Sequence, residues 1–329
     1  MKTLLCVAAF AALALPATAL AQYSVRRTPE LVQLEDAARR TVVAIAPAAG
    51  NLTREMTVNG HNILGPLGIP FLAPWANRLD EQAFYANGKR YALNMGLGNV
   101  RGEHPIHGFL GAAVWEVVDA KADEGEAWVT SRLDFTRQPD WMAQFPFAHT
   151  IVMTHRLRDG VLDITVALHN LSAESMPVAI GFHPYFRLAG APRDAWTIAL
   201  GARIEWMLAD DKIPTGETRS IERRFPDPRA AVLRDYDLDH VFGDLIRDTS
   251  GRATMTVSGA SQRIDVGFGP NYRAAVVYAP KGRDFICFEP MAGITDALNL
   301  AQRGLYKDVQ YIPADGYWKE TFWIRPSGF

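Results

Sequence analysis

Two short stretches of the chain end an apolar run on a titratable side chain that is followed at once by proline. They are Gly181-Phe182-His183-Pro184-Tyr185-Phe186 and Phe285-Ile286-Cys287-Phe288-Glu289-Pro290. An imidazole and a carboxylate held at the ends of stiff, extended segments suit general acid and base work, because each exchanges its proton from a fixed position. Alternation along a strand puts Ala179, Gly181 and His183 on one face and Val178, Ile180 and Phe182 on the other. His183 thus stands among small neighbours that leave room beside it, and the opposite face reads as core. Phe285, Cys287 and Glu289 share a face in the same way, with Ile286 and Phe288 opposite. Plainer readings stand beside these. His183 would serve as a structural histidine bonded to a backbone carbonyl. Glu289, costly to bury unpaired, would form a salt bridge to Arg283 or Arg303. Cys287 sits in an apolar strand, a poor place for a thiolate, and reads as packing.

Three further clusters carry polar chemistry. In Pro74-Trp75-Ala76-Asn77-Arg78-Leu79, Arg78 offers a rigid fork of donors, Asn77 both donor and acceptor, and Trp75 an apolar face. In His104-Pro105-Ile106-His107-Gly108-Phe109 the two histidines lie three apart. No Cys, Asp or Glu at ligand spacing accompanies them, so no metal is expected. In Leu238-Asp239-His240-Val241-Phe242 either Asp239 or His240 is placed to face a site.

The elements that must position these groups are strands. His149 to Leu157 alternates, Asp159-Gly160 turns, and Val161 to Leu168 alternates again, a strong hairpin signal. Phe84–Ala86 and Lys89–Tyr91 flank Asn87-Gly88 likewise. Val114–Val118 pairs with Ala127–Leu133 across an acidic turn, and Ala274–Tyr278 with Phe285–Phe288 across Pro280-Lys281-Gly282. Tyr317–Ile324 reads as an aromatic-rich closing strand, and only short helical turns are expected, as around Pro139 to Ala143. The expected fold is all-β, a large antiparallel sandwich, with one domain over residues 22–329. Met1–Ala21 reads as a signal peptide: Lys2, an apolar Leu4–Leu15 run too short to span a bilayer, and Ala19-Leu20-Ala21 before Gln22. The expected location is therefore the periplasm or outside the cell. With 34 Lys+Arg against 36 Asp+Glu the net charge is -2, and neither nucleic acid nor a membrane surface is expected as a partner. Removal of Cys6 with the leader would leave Cys287 alone, so a large core rather than a disulfide must hold the fold. The oligomeric state is left open.

Taken in order, Pro74-Trp75-Ala76-Asn77-Arg78-Leu79, Ile106-His107-Gly108, Gly181-Phe182-His183-Pro184-Tyr185-Phe186, Leu238-Asp239-His240-Val241-Phe242 and Phe288-Glu289-Pro290 resemble the aldose 1-epimerase (galactose mutarotase-like) family. The resemblance spans almost all of residues 22–329. It implies a β-supersandwich and an isomerase that interconverts the α and β anomers of a free aldose, a hexose by preference, without cofactor or metal. It implies Glu289 as catalytic base and His183 as catalytic acid. Arg78, His107 and Asp239 match sugar-binding positions, with Asn77 beside them. The imidazole must start protonated, so neighbouring carboxylates are expected to raise its pKa. Where many members carry a second glycine after His-Gly, this chain has Phe109, an apolar ring expected to reshape the pocket and unsettle a preference for galactose. Similar enzymes of hexose 6-phosphates also show His-Gly-Phe. The alternatives are thus a hexose-6-phosphate 1-epimerase-like enzyme or a non-catalytic carbohydrate-binding sandwich. Two carboxylates near the sugar, Asp239 and Glu289, with Arg78 as the one cation, favour an unphosphorylated aldose.

Overall fold

A computed structural model describes residues 21–329. The leader segment, but for Ala21, lies outside the described residues. Three large antiparallel sheets and three two-stranded ones make up the described residues. The first runs in chain order through Tyr23–Arg27, Val32–Asp36, Thr41–Ala46, Leu52–Val58 and His61–Asn62. The second has nine strands, in the order Glu116–Ala122, Ala127–Asp134, His149–Arg158, Val161–Asn170, Tyr317–Ser327, Gln262–Phe268, Ala253–Gly259, Thr197–Leu200 and Ala231–Val232. The third is ordered Pro214–Ser220, Ala202–Leu208, Leu238–Leu245, Ala274–Ala279, Ile286–Met291, Gly181–Phe182 and Phe71–Leu72, with Tyr185–Phe186 also paired to Ile286–Met291. This is the large antiparallel sandwich expected from the period-two pattern, in the supersandwich form that the resemblance implies.

One main apolar cluster joins the sheets. Leu34 and Val43 come from the first, Val166 and Phe322 from the second, and Phe242 and Phe288 from the third. Phe182 packs on Phe322 with ring centroids 4.8 Å apart, tying the functional sheet to the nine-stranded one. Burial of a large side chain of this kind stabilises by about 1.5–3 kcal/mol. The alternation at Ile286 to Glu289 is as expected: Ile286 and Phe288 belong to that core, and Glu289 points to the other side of its sheet.

The turns follow their chemistry. Asp159 (φ 51°) with Gly160 (φ 72°), and Asn87 (φ 52°) with Gly88 (φ 72°), take the paired left-handed conformation of a type I′ hairpin. The expected helical turn is the short helix Pro139–Gln144, whereas the helix Ala297–Gln302 had no visible period in so few residues. The run from Val178 to His183 is not one strand. Met176–Val178 pairs with Gln310–Ile312, and Gly181–Phe182 starts afresh on Ile286–Met291. Ala179, between them, bridges Trp75 and joins the core instead of sharing an open face with His183.

Candidate active site

Glu289 sits near the end of Ile286–Met291, a strand whose six residues are all buried. His183 directly follows Gly181–Phe182 on the neighbouring strand, and its backbone N–H donates to the Pro70 carbonyl at 3.0 Å. Gly181 is required between them. A Cβ there would lie 2.9 Å from the Pro290 carbonyl oxygen and 2.9 Å from the Ala76 Cβ, forcing the two strands apart. Strand pairing aligns Tyr185 and Tyr278 with Cys287, and Asp239 with Tyr278, in one row across the sheet. Asn77, Arg78 and His107 reach the same place from two loops joined by the Arg78–Ile106 bridge. All six residues expected from sequence therefore line one cavity of about 470 Å³. That size falls in the roughly 300–1,000 Å³ range of small-molecule sites.

The central contact is His183 Nε2 to Glu289 Oε1 at 3.2 Å. Glu289 thus pairs with the imidazole and not with Arg283 or Arg303; Arg303 is held by Asp80 (2.6 Å) and Asp296 (2.8 Å). Burial, and then the charge of Asp239, push the Glu289 carboxyl well above its ordinary range, against a smaller pull from Arg78. Burial, and then His107, hold the His183 imidazole well below its ordinary value. The expectation that nearby carboxylates keep His183 protonated is therefore not met, because desolvation disfavours the charged form of both partners. Burial favours the neutral form of each, a carboxylic acid beside a neutral imidazole with one proton between them. Moving that proton from Oε1 to Nε2 makes the ion pair with no uptake from solvent, so the two groups titrate as a unit. Glu289 Oε2 and His183 Nδ1 are buried without a hydrogen-bond partner.

Asn77 and His107 lock each other. Asn77 N–H donates to His107 Nδ1 at 3.1 Å, and His107 N–H donates to the Asn77 carbonyl at 3.0 Å. An accepting Nδ1 leaves the proton on Nε2. Burial first, then Arg78 and Arg101, pull the His107 pKa down to about 4, so the ring is a neutral donor. Asn77 Oδ1 accepts from the Arg78 backbone N–H (2.9 Å) and from its guanidinium (3.1 Å), which aims the fork at Asp239, 3.7 Å away. The Arg78 loop is clamped from behind: Asp296 N–H donates to the Arg78 carbonyl, and Asp80 N–H to Asp296 Oδ1, both at 3.1 Å.

Two expectations change. Trp75 is buried and packs edge-on against Phe109, ring centroids 5.7 Å apart, so its indole offers no face to the cavity. Phe109 continues into a cluster with Phe135 and Trp141 and does not line the cavity, so it does not reshape the site. His104 turns away from His107, its Nδ1 lying 3.0 Å from the Leu79 carbonyl. Five further residues line the cavity without having been expected as site residues: the polar Tyr185, Tyr278 and Arg101, and the apolar Val100 and Ile106. Tyr185 lies flat on His183, centroids 4.4 Å apart, and its place two residues beyond His183 was the available signal. Burial pushes the Cys287 thiol well up, as its packing role requires.

Comparison with known proteins gives the following. The sequence model of the family described as Aldose 1-epimerase matches residues 52–307. A galactose mutarotase-like protein from Clostridium acetobutylicum superposes with a TM-score of 0.81 at 20% identity, covering 93% of this chain and 98% of that one. A galactose 1-epimerase from Lactobacillus acidophilus gives 0.72 at 16% identity, over 93% and 98%. A protein from Synechocystis sp. PCC 6803 gives 0.72 at 24% identity, over 96% and 100%. At these identities the structural likenesses speak for the fold.

Proposed function

Because the chain belongs to the aldose 1-epimerase family, we propose that it interconverts the α and β anomers of a free aldose, with Glu289 as base and His183 as acid. One observation carries this reading, the 3.2 Å approach of His183 Nε2 to Glu289 Oε1. The anomeric hydroxyl and the ring oxygen hang from the same carbon, so an acid and a base that serve both must converge on nearly one point. Glycoside hydrolysis instead needs two carboxyl groups about 5 Å or more apart. Here the second carboxylate, Asp239, is engaged by Arg78.

The chemistry follows from the proton count. With the shared proton on His183, Glu289 takes the proton of the anomeric hydroxyl while His183 gives its own to the ring oxygen. The bond between C1 and the ring oxygen breaks as the C1 carbonyl forms. The aldehyde turns, the ring hydroxyl attacks the other face, His183 recovers its proton and Glu289 returns its proton to O1. The Nε2–H of His107 and the Arg78 fork would hold ring hydroxyls and stabilise charge developing on oxygen. Asp239 and Asn77 would fix the register of those donors.

The reading extends to residues 22–329 as one catalytic unit, exported after cleavage near Ala21. The n-region, apolar run and Ala-x-Ala site support export, and N-terminal sequencing of protein from the cell envelope tests it; an intact Met1 would refute it. The activity is tested by following freshly dissolved α-glucose and α-galactose by polarimetry. Acceleration over buffer is expected for at least one; equal rates with and without protein across a panel of aldoses would overturn the proposal.

A further inference from the structure

Charge around the cavity is not balanced as the sequence implied. Arg78 is met by Asp239 at 3.7 Å, so their charges offset. His183 and Glu289 face each other at 3.2 Å about one proton and contribute no net charge. His107 is neutral at physiological pH, its pKa drawn down to about 4. The two carboxylates therefore do not repel an anion as their count suggests. One cation remains: Arg101, exposed on the rim, on the hairpin Val100–Arg101 and His104–Pro105 that turns at Gly102 (φ 64°). Its side chain has no hydrogen-bond or ion-pair partner among the described residues. Glu103, also exposed on that turn, makes no pair with it. Yet its charge reaches His107, Tyr185 and Tyr278 across the cavity.

We propose that Arg101 forms an anion subsite at the mouth of this cavity, and that the aldose turned over carries a carboxylate on the side of the ring away from the anomeric carbon. The inference rests on the aldose 1-epimerase reading and names its substrate class. A planar guanidinium matches a carboxylate through two parallel N–H···O bonds. One unpaired positive charge balances a monoanion, whereas a phosphate dianion would call for a second cation lining the cavity. Arg283 touches Tyr278 only through its field and does not line the cavity.

The test compares glucuronate, glucose and glucose 6-phosphate by NMR anomer-exchange rates, with a parallel titration of binding, for the wild-type protein, Arg101→Gln and Arg101→Lys. Wild-type kcat/KM for glucuronate should exceed that for glucose by about tenfold or more, the worth of a charge-assisted pair. That ratio should collapse towards unity in Arg101→Gln, mainly through KM, and recover in part in Arg101→Lys. No preference for glucuronate, an equal loss on both sugars in Arg101→Gln, or a stronger preference for glucose 6-phosphate would each overturn the subsite. If no sugar is turned over, the catalytic reading fails, and the binding titration still decides the subsite: Arg101-dependent glucuronate binding upholds it, and its absence refutes it.

Discussion

Asn77 and His107 hold each other by a reciprocal pair of hydrogen bonds, and both do so from the left-handed region, at φ 60° and 61°. Asparagine tolerates that backbone better than most residues, and its Oδ1 is spent on Arg78. Glycine keeps the backbone at no steric cost but removes the acceptor. Asn77→Gly is therefore expected to cost about 1–3 kcal/mol of stability, through the unpaired Arg78 donors, and to lower kcat/KM by about tenfold or more, because a displaced fork misaligns the sugar. Unchanged kinetics would show that Arg78 needs no help from Asn77.

Glu289→Gln keeps the shape of its side chain, His183→Asn leaves a smaller planar polar group, and each removes one member of the proton relay. Each should cut mutarotation by about 10² or more with the fold intact. The double variant should be hardly worse than either single one, since both disable the same relay. Losses that multiply in the double variant would separate the two roles.

Acid should weaken the fold through buried imidazoles. Burial draws His107 and His149 down to about 4, and His155 down to about 3, from an ordinary 6.5. Between those values the unfolded chain binds the protons and the folded chain does not. Their contribution to stability is complete above pH 6.5 and is lost as the pH falls towards 4, at up to about 1.4 kcal/mol per pH unit for each group. His155 has only burial acting on it, and its Nδ1 has no partner. His155→Leu should flatten the acid limb of urea midpoints measured from pH 7.5 to 5; an unaltered slope would exclude His155 from it.

Gly108 lies against the backbone of the loop that carries Asn77 and Arg78. At φ 60°, a Cβ there would meet the Ala73 carbonyl oxygen at 2.0 Å. Gly88, also at positive φ, has nothing within 4 Å of its virtual Cβ. Gly88→Ala should cost about 1 kcal/mol and spare activity, while Gly108→Ala should cost several times that and lose activity. Equal urea midpoints for the two variants would show that this loop yields freely.

Local rules made much of this legible. Asp159-Gly160 announces its hairpin, and alternation alone separates the core-facing Ile286 and Phe288 from Glu289. The six residues singled out in the motifs all line one cavity. Long-range facts did not show. Trp75 turns into the core because Phe109 packs on it there, and nothing local says so. The resting state of His183 follows from how deeply it is buried beside His107. Arg101 lies in the glycine-rich Gly96–Gly102 stretch, where no period marks a face, and the Asp296 clamp on Arg78 joins residues far apart in sequence.

The Tyr317–Ser327 strand lies between Val161–Asn170 and Gln262–Phe268, bonded to both. The seam of the nine-stranded sheet is thus the strand that comes latest in sequence among the described residues. Until it emerges from the ribosome, two half-sheets wait with open edges and the apolar layer cannot close. Non-local pairing of this kind folds slowly. Closing that sheet therefore joins residues as far apart in the chain as Thr165 and Thr321, which face each other across it.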